Sequence, residues 1–402
     1  MCLVELETFA WLLTDDGQRL LETAAHALAD ASGDALAANA AVRKVEPDPE
    51  RSAAAMTQVS LRVKGVAKFG EDALKMYFTP DGLEQATRWR VAAHRAGRLA
   101  AAQPSSVIDL GCSIGGDLIA TARAGMTAAG VDLDPIRVAV ARANLDALGL
   151  EGAVQVADGT GLDLSGFGTA FADPARRGAR GRVFDENGWT PPWPFVQDLL
   201  AERRAATAVV KVAPGIGHDL VPDGVEAEWV SEDGEVKEAA LWSPRLATAS
   251  RRATVISSAG GLATLTEEDD PYQGEPRPVR EVGRWLYEPD GAVIRAGLVT
   301  AVAAMTEGGL LDEHIAYVTS DAGFAGPFMK SYEVMDELPY REKQLKAALA
   351  ERNVGRLTIK KRGVDVVPEQ LRKRLQLKGS EEATIVVTRI AGVGRVLLVR
   401  PA

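Results

Sequence analysis

The chain has 402 residues, too many for one compact core, so we expect two or three domains. Its 46% hydrophobic and 25% charged residues are typical of a globular protein, and its two cysteines, Cys2 and Cys112, exclude a disulfide framework. The net charge of −10 is spread unevenly. The stretch 339–402 carries 15 Lys and Arg against 6 Asp and Glu, and the remainder carries 31 against 50. A basic tail on an acidic body suggests an anionic partner that docks at one end.

Neither a metal site nor a membrane anchor is indicated. The cysteines lack metal-ligand spacing, and the four histidines are scattered at His26, His94, His218 and His314. The initial residues MCLVELETFAWLLTDDG carry early acids and no basic region, unlike a signal peptide. No apolar run reaches membrane-spanning length. We therefore expect a cytoplasmic protein with no metal and no membrane partner.

Residues 1–100 predict an N-terminal helical module, because Ala and Leu recur every three or four residues, as in RLLETAAHALADA. The last helix is predicted to begin at Pro80, with Thr79 as N-cap, and to continue through Leu99. A solvated face is the favoured interpretation of its arginines, which are Arg88, Arg90, Arg95 and Arg98.

A glycine-rich turn follows at 107–117, VIDLGCSIGGD. A short apolar strand ends there, and a helical pattern begins at Leu118, so backbone N–H groups would face a ligand at the edge of a sheet. The spacing is D-x-G-x-x-x-G-G rather than the dinucleotide fingerprint G-x-G-x-x-G, which makes a nicotinamide dehydrogenase the weaker hypothesis. The alternative is a turn that only lets strand and helix pack closely.

This stretch resembles motif I of the class I S-adenosylmethionine (SAM) methyltransferases, in which the glycine loop lies against the methionyl part of the cofactor. The resemblance implies SAM as the cofactor. The residues that it predicts to bind SAM in this stretch are Asp109, Gly111, Cys112, Ser113, Gly115 and Gly116.

Strand and helix patterns then alternate, which predicts a parallel sheet covered on both faces. Asp132 ends the second strand, 23 residues after Asp109, where its carboxylate can accept hydrogen bonds from both ribose hydroxyls of an adenosine. Asp134 is predicted to cap the next helix. Asp158 and Gly159 end the third strand, and the resemblance implies that this acid meets the adenine amino group. A turn aspartate is the alternative.

The fourth strand ends in the predicted catalytic segment Asp173-Pro174-Ala175-Arg176-Arg177. Amino-methylating members of the resembled class have here an acid or amide, two prolines and an aromatic residue that stacks on the target base. This chain keeps the acid and one proline but has two arginines instead of the aromatic residue. Arginine can stack on a base or bind a phosphate, so the site still suits a nucleotide. The alternative is that Arg176 and Arg177 pair with surface acids.

Two further features follow this segment. Trp189 and Trp193 belong to a loop rich in Gly and Pro, where they would form either an aromatic platform for a base or a hydrophobic lid. Lys211 interrupts the apolar fifth strand, so it must reach a partner or the mouth of the site unless the strand lies at an edge. We include Lys211 among the candidate catalytic residues.

The remaining sequence predicts an antiparallel hairpin around Asp233-Gly234, a polar linker at 267–278, and a tail with a strand, a basic helix and a final strand pair. The tail and the DPARR string at 173–177 resemble those of a bacterial group of class I methyltransferases that carry a C-terminal THUMP-like domain. The predicted fold is α/β, with a helical module at 1–100 followed by a class I methyltransferase Rossmann-like sheet at 101–265. This sheet is expected to be mostly parallel, with the hairpin at its end. A small α+β THUMP-like region at 280–402, basic from about 339, completes the chain.

The favoured hypothesis is a cytoplasmic SAM-dependent methyltransferase that methylates a base nitrogen in RNA, with the basic tail binding the RNA. A methyltransferase acting on a small molecule or a protein is a second hypothesis. A SAM-binding or RNA-binding protein without catalytic activity is a third, because the fourth-strand motif is altered.

Overall fold

The computed structural model describes residues 6–176, 188–273, 275 and 279–402. The chain divides into two compact units. The first comprises Met1–Val212, Ile216–Val225 and Ala240–Ala247, and the second comprises Ala213–Gly215, Glu226–Ala239 and Thr248–Ala402. This division does not test the predicted module boundaries at 1–100, 101–265 and 280–402, which stay a prediction.

The first unit begins with helices. They are α1 (Leu6–Leu12), α2 (Asp15–Asp30), α3 (Ala35–Val45), α4 (Pro49–Phe69), α5 (Pro80–Gln85) and α6 (Trp89–Ala101). The side chains of Thr14, Asp34 and Asp48 cap α2, α3 and α4 by accepting hydrogen bonds from backbone N–H groups of their first turns. The buried apolar residues of α1 to α5 share one core with Ile114 and Leu118, so these helices pack around the predicted glycine loop.

The predicted continuous helix over 80–99 is wrong, because a break at 86–88 separates α5 from α6. Thr79 caps α5 as predicted. Lys68 stabilises the break, since its Nζ donates at 2.8, 2.5 and 2.8 Å to the carbonyl oxygens of Leu83, Glu84 and Ala86. Carbonyl groups at the end of a helix need such partners when no further turn follows.

Strand and helix then alternate, as predicted: β1 (Val107–Leu110), α7 (Gly116–Arg123), β2 (Ala128–Asp132), α8 (Pro135–Ala147), β3 (Ala153–Val156), β4 (Thr169–Ala172), β5 (Ala175–Arg176), β6 (Trp189–Thr190), α9 (Trp193–Leu200) and β7 (Thr207–Val212). Within the order β7-β4-β1-β2-β3 every neighbouring pair is parallel, with Asp109 opposite Gly130 and Phe171. The carboxyl ends of these strands therefore meet at one edge of the sheet.

The predicted hairpin follows. It comprises β8 (Glu226–Glu232) and β9 (Glu235–Trp242), joined by Asp233 and Gly234, whose φ angles of 52° and 82° suit a two-residue hairpin turn. A further strand, β10 (Arg251–Ser257), is parallel to β8 and antiparallel to β11 (Gly261–Thr266). The complete strand order is β11-β10-β8-β9-β7-β4-β1-β2-β3. A mostly parallel sheet with a hairpin toward one end confirms the predicted fold class.

The second unit contains another sheet. Its elements are β12 (Trp285–Pro289), α10 (Gly291–Arg295), α11 (Val299–Met305), β13 (Gly309–Asp312), β14 (Ile315–Ser320), β15 (Met329–Leu338), α12 (Glu342–Glu351), β16 (Val354–Lys361), α13 (Pro368–Leu375), β17 (Glu381–Ile390) and β18 (Val393–Pro401). The strand order is β13-β14-β12-β15-β18-β17-β16, with β16 parallel to β17. The strand, helix and final strand pair predicted for the tail are therefore confirmed. Part of the predicted linker is packed, because Asp270 is buried and accepts a hydrogen bond from Thr300 Oγ1 at 2.5 Å.

Across the described ranges, no helix combines the length and apolar character needed to cross a membrane. In the same ranges, no group of three or more His, Cys, Asp or Glu side chains is placed to hold a metal ion.

Candidate cofactor and acceptor site

The loop between β1 and α7 is folded tightly at the carboxyl edge of the sheet. Gly111 and Gly115 have φ angles of 91° and 86°, which glycine adopts without steric cost, and Ser113 between them has a φ angle of 50°. Gly115 lies against α8, because a Cβ there would come within 3.2 Å of the Cβ of Ala141. Above Gly111, by contrast, a Cβ would meet no heavy atom within 4 Å, so open space adjoins its backbone.

Asp132, at the end of β2, connects this loop to α8. Its Oδ2 accepts a hydrogen bond from the backbone N–H of Ser113 at 3.0 Å, and its Oδ1 accepts one from the N–H of Asp134 at 3.0 Å. Asp134 caps α8 as predicted by accepting from Ile136 N at 2.9 Å. A carboxylate oxygen can accept more than one hydrogen bond, so Asp132 can also accept from ribose hydroxyls. Its role in ribose binding stays a prediction.

A cavity of about 620 Å³ lies at this edge of the sheet. The predicted cofactor residues line it except for Gly115, and so do the predicted catalytic residues Asp173 and Lys211. Pro174 is buried and is not part of the lining. Residues that sequence reasoning missed also line the cavity, and they include Gln85, Thr87, Asp117, Arg137, Phe171 and Phe195.

Asp109 is a buried acid in this lining. Burial raises its pKa well above the ordinary value, and the neighbouring carboxylates of Asp117 and Asp173 raise it further. A cation in the cavity would favour the ionised form of Asp109. The site is therefore matched to a positively charged ligand.

Asp158 has the turn role that was its alternative. Its Oδ1 accepts hydrogen bonds from the backbone N–H of Thr160 at 2.9 Å and from Thr160 Oγ1 at 2.7 Å, and these bonds lower its pKa. Its exposed carboxylate also lines the cavity, so contact with an adenine amino group stays a prediction. The adjacent Gly159 lies near Leu110, because a Cβ there would approach Leu110 Cδ2 to 3.2 Å.

Cys112 contributes shape rather than charge. It is buried and unpaired with another cysteine. Burial raises the pKa of its thiol, so the side chain stays neutral at physiological pH.

A network of polar side chains lies where β4 and β7 end. Lys211 Nζ donates to Asp173 Oδ2 at 2.5 Å and to Thr87 Oγ1 at 3.1 Å, and Thr87 Oγ1 donates to Asp117 Oδ2 at 3.0 Å. Lys211 thus reaches a partner, as one alternative predicted, and β7 is not an edge strand. The network fixes the ammonium of Lys211 beside Asp173.

Arg95 completes this network, which corrects for this residue the prediction of a solvated arginine face; Arg90 is exposed as predicted. Its side chain is 4% exposed, is paired with Asp117 and lies 4.5 Å from the centre of the Phe171 ring. Arg98 lies over the Trp242 ring at 3.9 Å. No local sequence signal distinguished Arg95, because its partner is supplied by α7.

The segment after Asp173 is only partly described. The backbone of Arg176 belongs to β5, which pairs with β6, and Arg177 lies outside the described residues. Trp189 and Trp193 are buried, and their rings pack edge to face with centroids 5.0 Å apart. This packing favours the hydrophobic alternative over an exposed platform.

The residues present fit SAM. The cavity volume falls within the range of about 300 to 1,000 Å³ that small ligands occupy. Carboxylates suit a ligand with a sulfonium and an ammonium group, and the open space above Gly111 lets a ligand approach the loop backbone. Together, sheet and site define a class I SAM-dependent methyltransferase.

Comparisons with known proteins agree with this class. Residues 329–401 match the family model described as THUMP domain-like, and residues 5–65 match a domain of unknown function. Two uncharacterized S-adenosylmethionine-dependent methyltransferases, from Mycobacterium tuberculosis strains CDC 1551 and H37Rv, are each 37% identical over 341 residues, which is 82% of this chain and 90% of theirs. The chain belongs to this family of SAM-dependent methyltransferases.

A solved structure supports the fold over the whole chain. The crystal structure of a protein provisionally named as a methyltransferase, from Porphyromonas gingivalis W83, covers 96% of this chain and 98% of its own with a TM-score of 0.75. The identity is 22%, so the likeness supports the fold alone.

Proposed function

We propose that this methyltransferase transfers the methyl group of SAM to a base nitrogen in RNA, in the cytoplasm. The observation that carries the proposal is the distribution of charge in the second unit. Seven basic residues near α12 and α13 form no ion pair within 4 Å among the described residues: Arg341, Lys343, Lys346, Lys361, Arg372, Lys373 and Lys378. All but the half-buried Lys346 are exposed.

The packing of α12 and α13 places this basic surface on one face of the sheet. Leu345, Leu349, Leu371 and Leu375 share a core with Leu357 and Ile359 of β16. Lys361 follows these two strand residues in alternation, so it lies on the same face. A cluster of exposed, unpaired cations in an otherwise acidic chain favours a polyanionic partner.

Lys360 does not contribute to this surface. It projects to the opposite face, where its Nζ donates to Glu288 Oε2 at 2.6 Å and lies over the Tyr332 ring. Arg362 lies 3.9 Å from the same carboxylate. The sequence carries two basic triplets in the tail, 360–362 and 372–374, which a compact fold could merge into one cationic surface. That expectation is wrong for Lys360 and Arg362, which face Glu288, and Arg374 pairs with Glu342.

The acceptor would be held at the network end of the cavity. SAM supplies an electrophilic methyl group. Lys211 engages Oδ2 of Asp173, which leaves Oδ1 to accept a hydrogen bond from an amino group of a base. Such an acceptor orients the nitrogen lone pair toward the methyl carbon without requiring a strong base. We assign substrate holding to Arg176 and Arg177, because arginine binds phosphate or stacks on a base.

The proposal is tested by mapping methylated nucleosides in total RNA from a strain that lacks the gene. We expect one N-methylated base to disappear from the mutant and to return when the wild-type gene is supplied. The gene encoding Asp173→Ala should not restore it, because the substitution removes the acceptor for the amino group of the base. An unchanged nucleoside profile in the mutant would contradict RNA as the substrate.

A further inference from the structure

Asn144 connects three parts of the first unit. It lies on α8, is 0% exposed, and accepts a hydrogen bond through Oδ1 from the backbone N–H of Tyr77 at 2.6 Å. Its Nδ2 donates to the carbonyl oxygen of Tyr77 at 3.0 Å and to that of Ile114, in the glycine loop, at 2.9 Å. Both amide hydrogens and the amide oxygen are therefore used.

Gln58 on α4 makes a similar pair of hydrogen bonds with the backbone of Phe78, the residue that follows Tyr77. Its Nε2 donates to the carbonyl oxygen of Phe78 at 2.7 Å, and its Oε1 accepts from the N–H of Phe78 at 3.0 Å. Gln58 is 1% exposed, so the two amides are equally buried. Asn144 also bonds to the glycine loop, whereas the bonds of Gln58 within the described residues go to Phe78.

The segment 77–87 then runs from these anchors to the cavity. At Gly82 it passes so close to Ile114 that a Cβ would overlap the isoleucine side chain. Residues 85–87 line the cavity, and Thr87 bonds to the network of Asp117 and Lys211. The segment therefore contacts the glycine loop at Gly82 and the acceptor site at Thr87.

We propose that Asn144 is a positioning residue for SAM, which acts through Ile114 by holding the glycine loop against the segment 77–87. Removing the amide leaves buried groups of Tyr77 and Ile114 without partners, and the loop must shift to satisfy them. The inference does not depend on the identity of the acceptor.

The test compares Asn144→Leu with Gln58→Leu, a matched control that removes an equally buried amide. We expect Asn144→Leu to raise the Kd for SAM at least tenfold in calorimetry. Gln58→Leu should change the Kd less than twofold although its melting temperature falls by a similar amount. Unchanged affinity in Asn144→Leu, or an equal loss in both variants, would overturn the proposal, because a purely structural role affects stability alone.

Hydrogen exchange of the wild-type protein tests the role of the segment 77–87 if either variant does not fold. Residues 77–82 do not line the cavity, so a bound ligand protects their amide hydrogens indirectly, through the glycine loop or through residues 85–87. Saturating S-adenosylhomocysteine should slow hydrogen exchange in 77–82 and leave exchange in α2 unchanged. Unchanged exchange in 77–82 at saturation would overturn the proposal.

Discussion

Asp132→Ala tests the predicted cofactor pose most sharply, because Asp132 both shapes the glycine loop and faces the cavity. The substitution removes the acceptors of the Ser113 and Asp134 N–H groups and the two expected ribose contacts. A hydrogen bond to a charged group contributes about 1.5 to 3 kcal/mol. Allowing for partial replacement by water, we expect a loss of about 2 to 4 kcal/mol in SAM binding. This corresponds to a Kd raised about 30-fold to 1,000-fold in titration calorimetry.

Asp163→Ala is the matched control for this prediction. Asp163 accepts from the backbone N–H of Ser165 at 3.0 Å, the same two-residue spacing as between Asp132 and Asp134, but it does not line the cavity. We expect wild-type affinity for SAM from this variant. Equal affinities of Asp132→Ala and wild type would refute the pose, and an equal loss in both variants would show that turn stability rather than ribose contact was measured.

The other predictions concern stability and charge. Because burial raises the pKa of Asp109, its contribution to stability is present below the unfolded pKa and is lost as the pH rises through the folded pKa. The free energy of unfolding of Asp109→Asn, measured in urea relative to wild type, should therefore be greater at about pH 8 than at about pH 5. An equal difference from wild type at both pH values would contradict this. Arg95→Met should lower the free energy of unfolding by about 3 to 5 kcal/mol, since it leaves Asp117, whose side chain is only 16% exposed, without its paired cation. The double variant with Asp117→Leu should recover most of the loss. If the double variant did not recover this stability, the loss in Arg95→Met would not come from the unpaired charge of Asp117. Lys373→Ala should flatten the salt dependence of RNA binding by about one unit of slope, and Arg400→Ala, whose guanidinium already pairs with Glu333, should change it less. Equal slopes for wild type and Lys373→Ala would place the RNA elsewhere.

The parts of the site that the sequence predicts are those set by local patterns. Asp109, Asp132, Asp158 and Asp173 each lie at or near the carboxyl end of a short strand, and parallel strands bring their carboxyl ends to one edge. Their convergence on one cavity therefore followed from the predicted parallel arrangement.

The parts that the sequence did not reveal depend on contacts between distant segments. Thr87 reaches the site because the chain breaks between α5 and α6, and Lys68, outside that pattern, stabilises the break. Asn144 contacts Tyr77, 67 residues away, and nothing near it in sequence indicates that partner. Lys360 is neutralised by Glu288, 72 residues away, so its charge could not be assigned from the basic triplet alone.

Methyl transfer to an RNA base beside Asp173 is tested most directly with isotope-labelled SAM and RNA from the deletion strain. The product nucleoside is identified by mass spectrometry. We expect wild-type protein to label a base nitrogen. Asp173→Ala should bind SAM with nearly wild-type affinity but transfer no label, because Asp173 acts on the acceptor. Label in protein or small-molecule fractions instead of RNA, or wild-type transfer by Asp173→Ala, would contradict methyl transfer to RNA at this site.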